Sequence, residues 1–363
     1  MRMLCLLLIG VAVLLGGCSS PAPVVPTAAP DLATARRELL TRLTDTVILP
    51  AYRTFGEQTA ALLSASEALA ATPTPATLAA AQQAWRAAYV AWQPLPLSRT
   101  EAVRRSQLMS AINKYPSNTR FIEENIRSEK ALTAELVSSF GATSRGLPAL
   151  AYLLFDAPPA TTLAAFQADE RRGQYAVALA GDLHRTATAL YDFWATEGQN
   201  YRATFIASDG AGSQLRSGVS ELVNTQINVL DVLVQTRLGE PLGRKAGGAV
   251  QPDLVELAGT EIALAAQIAT VQAVRDLLTG GLAEYLTTHA STNPDLAGQL
   301  LAQTDATLAA LAAIPAPLEQ ALTTHPDAVA AAYAESRTLL MRYKVELANV
   351  LGVTVTFGDT DGD

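Results

Sequence analysis

Arg145-Gly146-Leu147-Pro148-Ala149-Leu150-Ala151-Tyr152-Leu153-Leu154-Phe155 is the stretch that sets the reading of this chain. Proline is tolerated in the first turn of a helix, where its missing N–H has no partner to lose, so Pro148 marks a helix start. Gly146 permits a tight turn just before it. Leu150, Leu153 and Leu154 then recur at helical spacing and predict a buried face. The segment reads as the entry of a core helix.

Helical periodicity extends outward on both sides. On the N-terminal side, Asp31 is a candidate cap, and Leu32, Leu39, Leu43 and Val47 share a stripe. Pro50 should kink or interrupt that helix, after which Tyr52, Phe55, Leu62, Leu63 and Leu69 continue it. Trp85, Tyr89 and Trp92 lie four and three residues apart, which predicts an aromatic core stripe. Asn118 or Thr119 caps the segment holding Phe121, Ile122 and Ile126, where the adjacent Glu123 and Glu124 read as a solvated face. On the C-terminal side, one long helix is expected from Thr162 to about Thr196. Others are expected over 215–238, from Pro252 through Leu278, over 294–313 and over 327–351. The Gly, Ser and Asn residues of 197–213 suggest a boundary. The expected organisation is therefore residues 31–205 as one helical bundle and residues 206–363 as a second. Val353 to Phe357 is the best strand-like run, too short to alter an all-α class.

Composition agrees with helices and a large core. The chain has 363 residues, 49% hydrophobic and 17% charged, rich in Ala and Leu. Its net charge of −8 and its lack of a Lys/Arg block exclude nucleic acid as an expected partner. At the N-terminus, Arg2 precedes the apolar run from Leu4 to Leu15, and Leu15-Gly16-Gly17-Cys18 follows. Residues 1–17 read as a signal peptide. The four-residue motif resembles the lipobox of bacterial lipoproteins, which implies acylation of Cys18 and a membrane partner through that anchor. With Ser19 next, a Gram-negative source would imply the periplasmic face of the outer membrane. Residues 18–30, rich in Pro and Ala, then form a tether. Cys5 belongs to the removed segment, so Cys18 is left without an intramolecular disulfide partner.

The opening stretch also resembles the signature of the imelysin family, Gly-x-His-x-x-Glu. These are bacterial envelope proteins that include an insulin-cleaving membrane protease and proteins tied to iron uptake. Gly146 occupies the signature glycine, whereas Pro148 stands at the histidine and Ala151 at the glutamate. Further resemblance lies in Ile48-Leu49-Pro50-Ala51-Tyr52, in Trp85 through Trp92, and in Leu238-Gly239-Glu240-Pro241-Leu242-Gly243 with Val255-Glu256. It continues in Leu351-Gly352-Val353 and Phe357 with Asp361-Gly362-Asp363. The family implies two packed helical bundles with the functional site between them.

A His and a Glu at i and i+3 share a helix face and suit metal ligation or proton transfer. Pro148 and Ala151 do neither, so no catalytic residue carries over. The expected function is a lipid-anchored, non-enzymatic envelope binding protein linked by resemblance to iron acquisition. Iron is the one candidate cofactor, and an envelope protein is the alternative partner. A cation would need oxygen donors, for which Glu256, Asp361 and Asp363 are candidates. Arg145 and Tyr152, beside the altered signature, are candidate lining of the cleft between bundles. The alternatives are a peptidase, for which no His-Glu-x-x-His or Gly-x-Ser-x-Gly pattern is present, and a helical scaffold that docks another envelope protein.

Overall fold

The computed structural model describes residues 31–210, 217–289 and 292–356, all helix, turn or irregular backbone with no strand. Cys18, the tether, Asp361 and Asp363 lie outside the described residues. From Leu32 onward the chain forms one compact unit.

Two groups of helices build it. The first holds α2 (Leu49–Ala71), α3 (Pro75–Trp92), the short α4 (Thr119–Ile126), α5 (Gly146–Phe155) and α6 (Glu170–Trp194). The second holds α7 (Gly218–Val232), α8 (Ala263–Leu277), α9 (Leu296–Ala312) and α10 (Pro326–Met341). The opening helix α1 (Leu32–Leu43) packs on α7 and on residues Leu278–Leu282, and α3 packs on α8, so the groups share one interface. Within the first group, α2 and α6 run along each other. Gly173 permits that approach, since a Cβ there would meet the Ala70 backbone at 3.0 Å.

Helix α5 is buried almost all round: Gly146 through Ala151, Leu153 and Leu154 are all inside. The periodicity predicts one core face, but no charged residue falls between Gly146 and Phe155, and a helix apolar on every side belongs in the interior. Several buried hydroxyls elsewhere are satisfied locally. Thr44, Ser66, Thr304 and Ser336 each donate to the carbonyl four residues back, at 2.6 to 2.8 Å.

The element boundaries depart from the sequence expectation at three places, while the interruption expected at Pro50 is present. A π-helical turn, Thr44–Ile48, ends the preceding helix and places Pro50 in the first turn of α2. The expected helix over 162–196 is two, because Asp169 turns its side chain back to accept from the Arg171 N–H and caps α6. Pro252 opens only a single 3₁₀ turn, Pro252–Leu254, and the helix begins at Ala263, which leaves Glu256 on a loop. Val353 to Thr356, the strand-like run, is irregular and forms no strand. The Asn224 amide on α7 donates to the Thr354 carbonyl at 3.1 Å and accepts from the Thr356 N–H at 2.8 Å, which ties this segment across the helix.

Candidate functional site at the seam between helix groups

One face of α3 organises the interface. Gln82, Trp85, Arg86, Tyr89 and Gln93 fall at i, i+3, i+4, i+7 and i+11, so they project on one side. The first two hold α5. Gln82 Nε2 donates to the Leu154 carbonyl at 2.7 Å, and Trp85 Nε1 donates to the Leu147 carbonyl at 2.9 Å. The remaining three reach the second group. Arg86 Nε donates to the Thr260 carbonyl at 2.9 Å while its guanidinium lies 4.9 Å from the Phe155 ring centre. The Tyr89 hydroxyl donates to Glu256 Oε1 at 2.8 Å.

Arg237 completes the cluster. It sits in a second π-helical turn, Leu233–Gly239, at the end of α7. Its Nε lies 3.1 Å from Glu256 Oε2. Its Nη1 donates to Gln93 Oε1 at 3.0 Å and to Thr270 Oγ1 on α8 at 3.2 Å. Burial works against the charge on Arg237, but Glu256 and Tyr89 outweigh it and hold the guanidinium charged. Burial, with Glu256 adding to it, pushes the Tyr89 phenol far above its ordinary range, so it acts as a hydrogen-bond donor. The seam is thus one carboxylate held by a guanidinium and a phenol.

The loop carrying Glu256 is strained. Leu257, Gly259 and Glu261 all have positive φ, at 55°, 83° and 62°, and two of these are not glycine. Val255 and Leu257 plug into the core on either side of Glu256, and the Gly259 N–H donates to Glu319 Oε1 at 3.0 Å. The tertiary fit of the loop fixes the Glu256 side chain against α3 and the Leu233–Gly239 turn.

The other expected cleft residues are held elsewhere. Arg145 makes a two-pronged pair with Asp182 on α6, both contacts 2.8 Å, and also donates to the Ser138 carbonyl at 2.9 Å. Tyr152 donates to Glu123 Oε1 at 2.9 Å, and Arg172 donates to the same oxygen at 2.9 Å. Burial, then Glu123, pushes the Tyr152 phenol up to about 12. Arg145 and Tyr152, seven residues apart, are bonded to α6 and α4, whereas the Leu147 and Leu154 carbonyls are the groups that α3 engages. Glu123 accordingly departs from the expected solvated face, while Glu124 keeps to it, paired with exposed Arg120. Of the expected residues that are described, only Glu256 joins the seam. Tyr89 falls in the aromatic stripe Trp85–Trp92, read there as core, while Gln93, Arg237 and Thr270 carry no sequence motif.

The Arg145–Asp182 pair gives a pH prediction. Asp182 is 2% exposed, and burial raises its carboxyl above the ordinary aspartate range, while Arg145 and then Arg185 oppose the shift and Glu135 adds to it. An acid with a folded pKa above its unfolded one binds protons more tightly when folded. Its stability penalty is present above the folded pKa and disappears as pH falls toward the unfolded value. Wild type should therefore gain melting temperature relative to Asp182→Asn as pH is lowered from 7 to 4. A wild type that loses ground to the variant over that range would contradict this.

The residues present do not fit a bare metal ion at the seam. Glu256 already accepts from Tyr89 and faces a buried guanidinium, which repels a cation. Pro148 and Ala151 are buried and offer no donor. Among the described residues no three His, Cys, Asp or Glu side chains cluster at ligating distance.

Comparison with known proteins agrees with this architecture. Iron-regulated protein A of Synechococcus elongatus is 24% identical over 231 residues, 62% of this chain and 61% of that protein, so the chain spans about three fifths of this relative's length. The crystal structure of an imelysin-like protein from Psychrobacter arcticum 273-4 superposes with a TM-score of 0.74 at 20% identity, covering 90% of this chain and 98% of that one. A second, from Parabacteroides distasonis ATCC 8503 and named as an iron-regulated protein A precursor, gives 0.71 at 17% identity, covering 90% and 96%. The Imelysin family profile matches residues 48–340. The chain, with its two packed groups of helices, belongs to the imelysin family.

Proposed function

We propose that this imelysin-family chain is a lipid-anchored binding protein of the cell envelope that serves iron acquisition and cleaves no peptide. The observation that carries the non-enzymatic part is the state of the signature helix. Pro148 and Ala151 are sealed in the core where the family places a His and a Glu, and the seam carboxylate, Glu256, is held by Arg237 and Tyr89. A carboxylate engaged by two donors has little lone-pair capacity left to ligate a cation. The iron link is supported by family membership and by relatives named for iron regulation. The anchor rests on Cys18 after the apolar leader, which would place the domain at the envelope, on the periplasmic face of the outer membrane in a Gram-negative cell.

The test is growth of the source strain lacking this gene under iron limitation. Growth should fall, and wild-type protein should restore it while Cys18→Ser does not. Full growth of the deletion strain would overturn the iron role, and rescue by Cys18→Ser would overturn the anchor. Incubation of the purified chain with insulin should give no cleavage. Chelator-sensitive cleavage would overturn the non-enzymatic reading.

A further inference from the structure

A cleft of about 320 Å³ opens between the start of α2, the end of α3 and the end of α8. It lies apart from the contacts of the signature helix, since Ala91 on its wall is six residues, roughly 9 Å of helical rise, beyond Trp85. Two π-helical turns converge on it. Thr44–Ile48 supplies Val47 and Ile48 to the wall, and Leu278–Leu282 presses on Val47 from behind. That approach requires glycine, because a Cβ on Gly280 would stand 2.6 Å from Val47 Cγ2. Such turns interrupt α-helices and are frequent at functional sites. Here one turn lines the opening and the other backs its wall, and the opening is within the size range of small-ligand sites.

The lining defines the chemistry of a ligand. Val47, Ile48, Pro50, Leu97 and Leu277 make an aliphatic wall, and Asp276 is its one carboxylate. The neighbouring acids Asp45, Glu284 and Asp305 are paired with Arg202, Arg42 and Arg275. Asp276 accepts a hydrogen bond from Gln272 at 2.8 Å, and among the described residues no cation forms an ion pair with it. An anionic oxygen at the rim of an aliphatic slot is matched by a protonated amine on a short apolar chain.

We propose that this cleft binds a small aliphatic amine, its chain against Val47, Ile48, Leu97 and Leu277 and its ammonium on Asp276. The ligand would bridge the two helix groups, since α2 and α3 belong to the first and α8 to the second. The inference stands independently of the iron reading.

Calorimetry on the full chain at pH 7 with octylamine, octanol and octanoate tests it, because the three share a chain length and differ in head group. Octylamine should bind saturably and at least about tenfold more tightly than either of the others. Asp276→Asn, a change at an exposed side chain, should remove that preference while leaving octanol binding unaltered. Ala91→Trp, which fills the cleft, should abolish binding of all three. Absence of saturable octylamine binding would overturn the proposal, as would equal affinity for the three probes. An amine preference that survives Asp276→Asn would overturn it too, as would binding that survives Ala91→Trp in a protein with wild-type circular dichroism.

Discussion

Arg237→Met is expected to destabilise the fold by about 3–5 kcal/mol, the range for removing one partner of a buried ion pair. The change leaves Glu256 Oε2, Gln93 Oε1 and Thr270 Oγ1 without the donor they now share. Gln93 Oε1 keeps Thr270 Oγ1 at 3.3 Å and Thr270 keeps the Ala266 carbonyl at 2.9 Å, so the main cost is the carboxylate oxygen of Glu256 left without its counter-charge. The Glu256 side chain keeps 24% of its surface exposed, so water relieves part of the penalty and places the effect toward the lower end of the range. The diagnostic variant is Arg237→Met with Glu256→Gln. Removing the stranded charge should recover more than half of the loss, because a pair replaced as a unit avoids an uncompensated carboxylate. Urea unfolding of the four members of this cycle measures it. A single-variant loss below about 1 kcal/mol would show the pair to be a solvated surface contact.

Gly146→Ala should cost about 2–5 kcal/mol. The residue has φ of 74°, where a Cβ adds roughly 1–2 kcal/mol of strain. A Cβ there would also run into the Ile112 and Ala111 carbonyl oxygens, which are backbone and cannot rotate away. Overpacking of that kind adds about 1–3 kcal/mol. The signature glycine is thus a packing requirement at the mouth of α5, whatever chemistry the positions after it carry. Thermal unfolding of the variant decides it, and a melting temperature equal to that of wild type would contradict the geometry.

The behaviour of α5 shows how much was legible. Its existence, its start at Gly146 and Pro148, and its place in the core follow from local rules about proline, glycine and leucine spacing, and all three hold in the structure. The all-helical class follows the same way, because apolar periodicity is written along each helix separately. The capping of α4 by Asn118 was equally local and is present, with the side chain accepting the Phe121 N–H at 3.1 Å. Breaks inside helical patterns were less legible. Asp169 interrupts what reads as one helix, since a cap competes with the helix through a single side-chain hydrogen bond that periodicity does not register.

By itself, the sequence determined the helical class and the buried helix α5, which carries Pro148 and Ala151 and no charged side chain. These depend on residue identity and on neighbours three or four positions apart. Only the tertiary structure decided that Glu256 meets Tyr89, 167 residues earlier, and that Arg145 and Tyr152 turn to Asp182 and Glu123 instead. A charged side chain seeks whichever partner the packed helices bring within reach, and that pairing is set by the register of helix against helix. The register emerges from the fit of the whole core, including close approaches such as Gly173 on Ala70, and no local pattern along the chain encodes it.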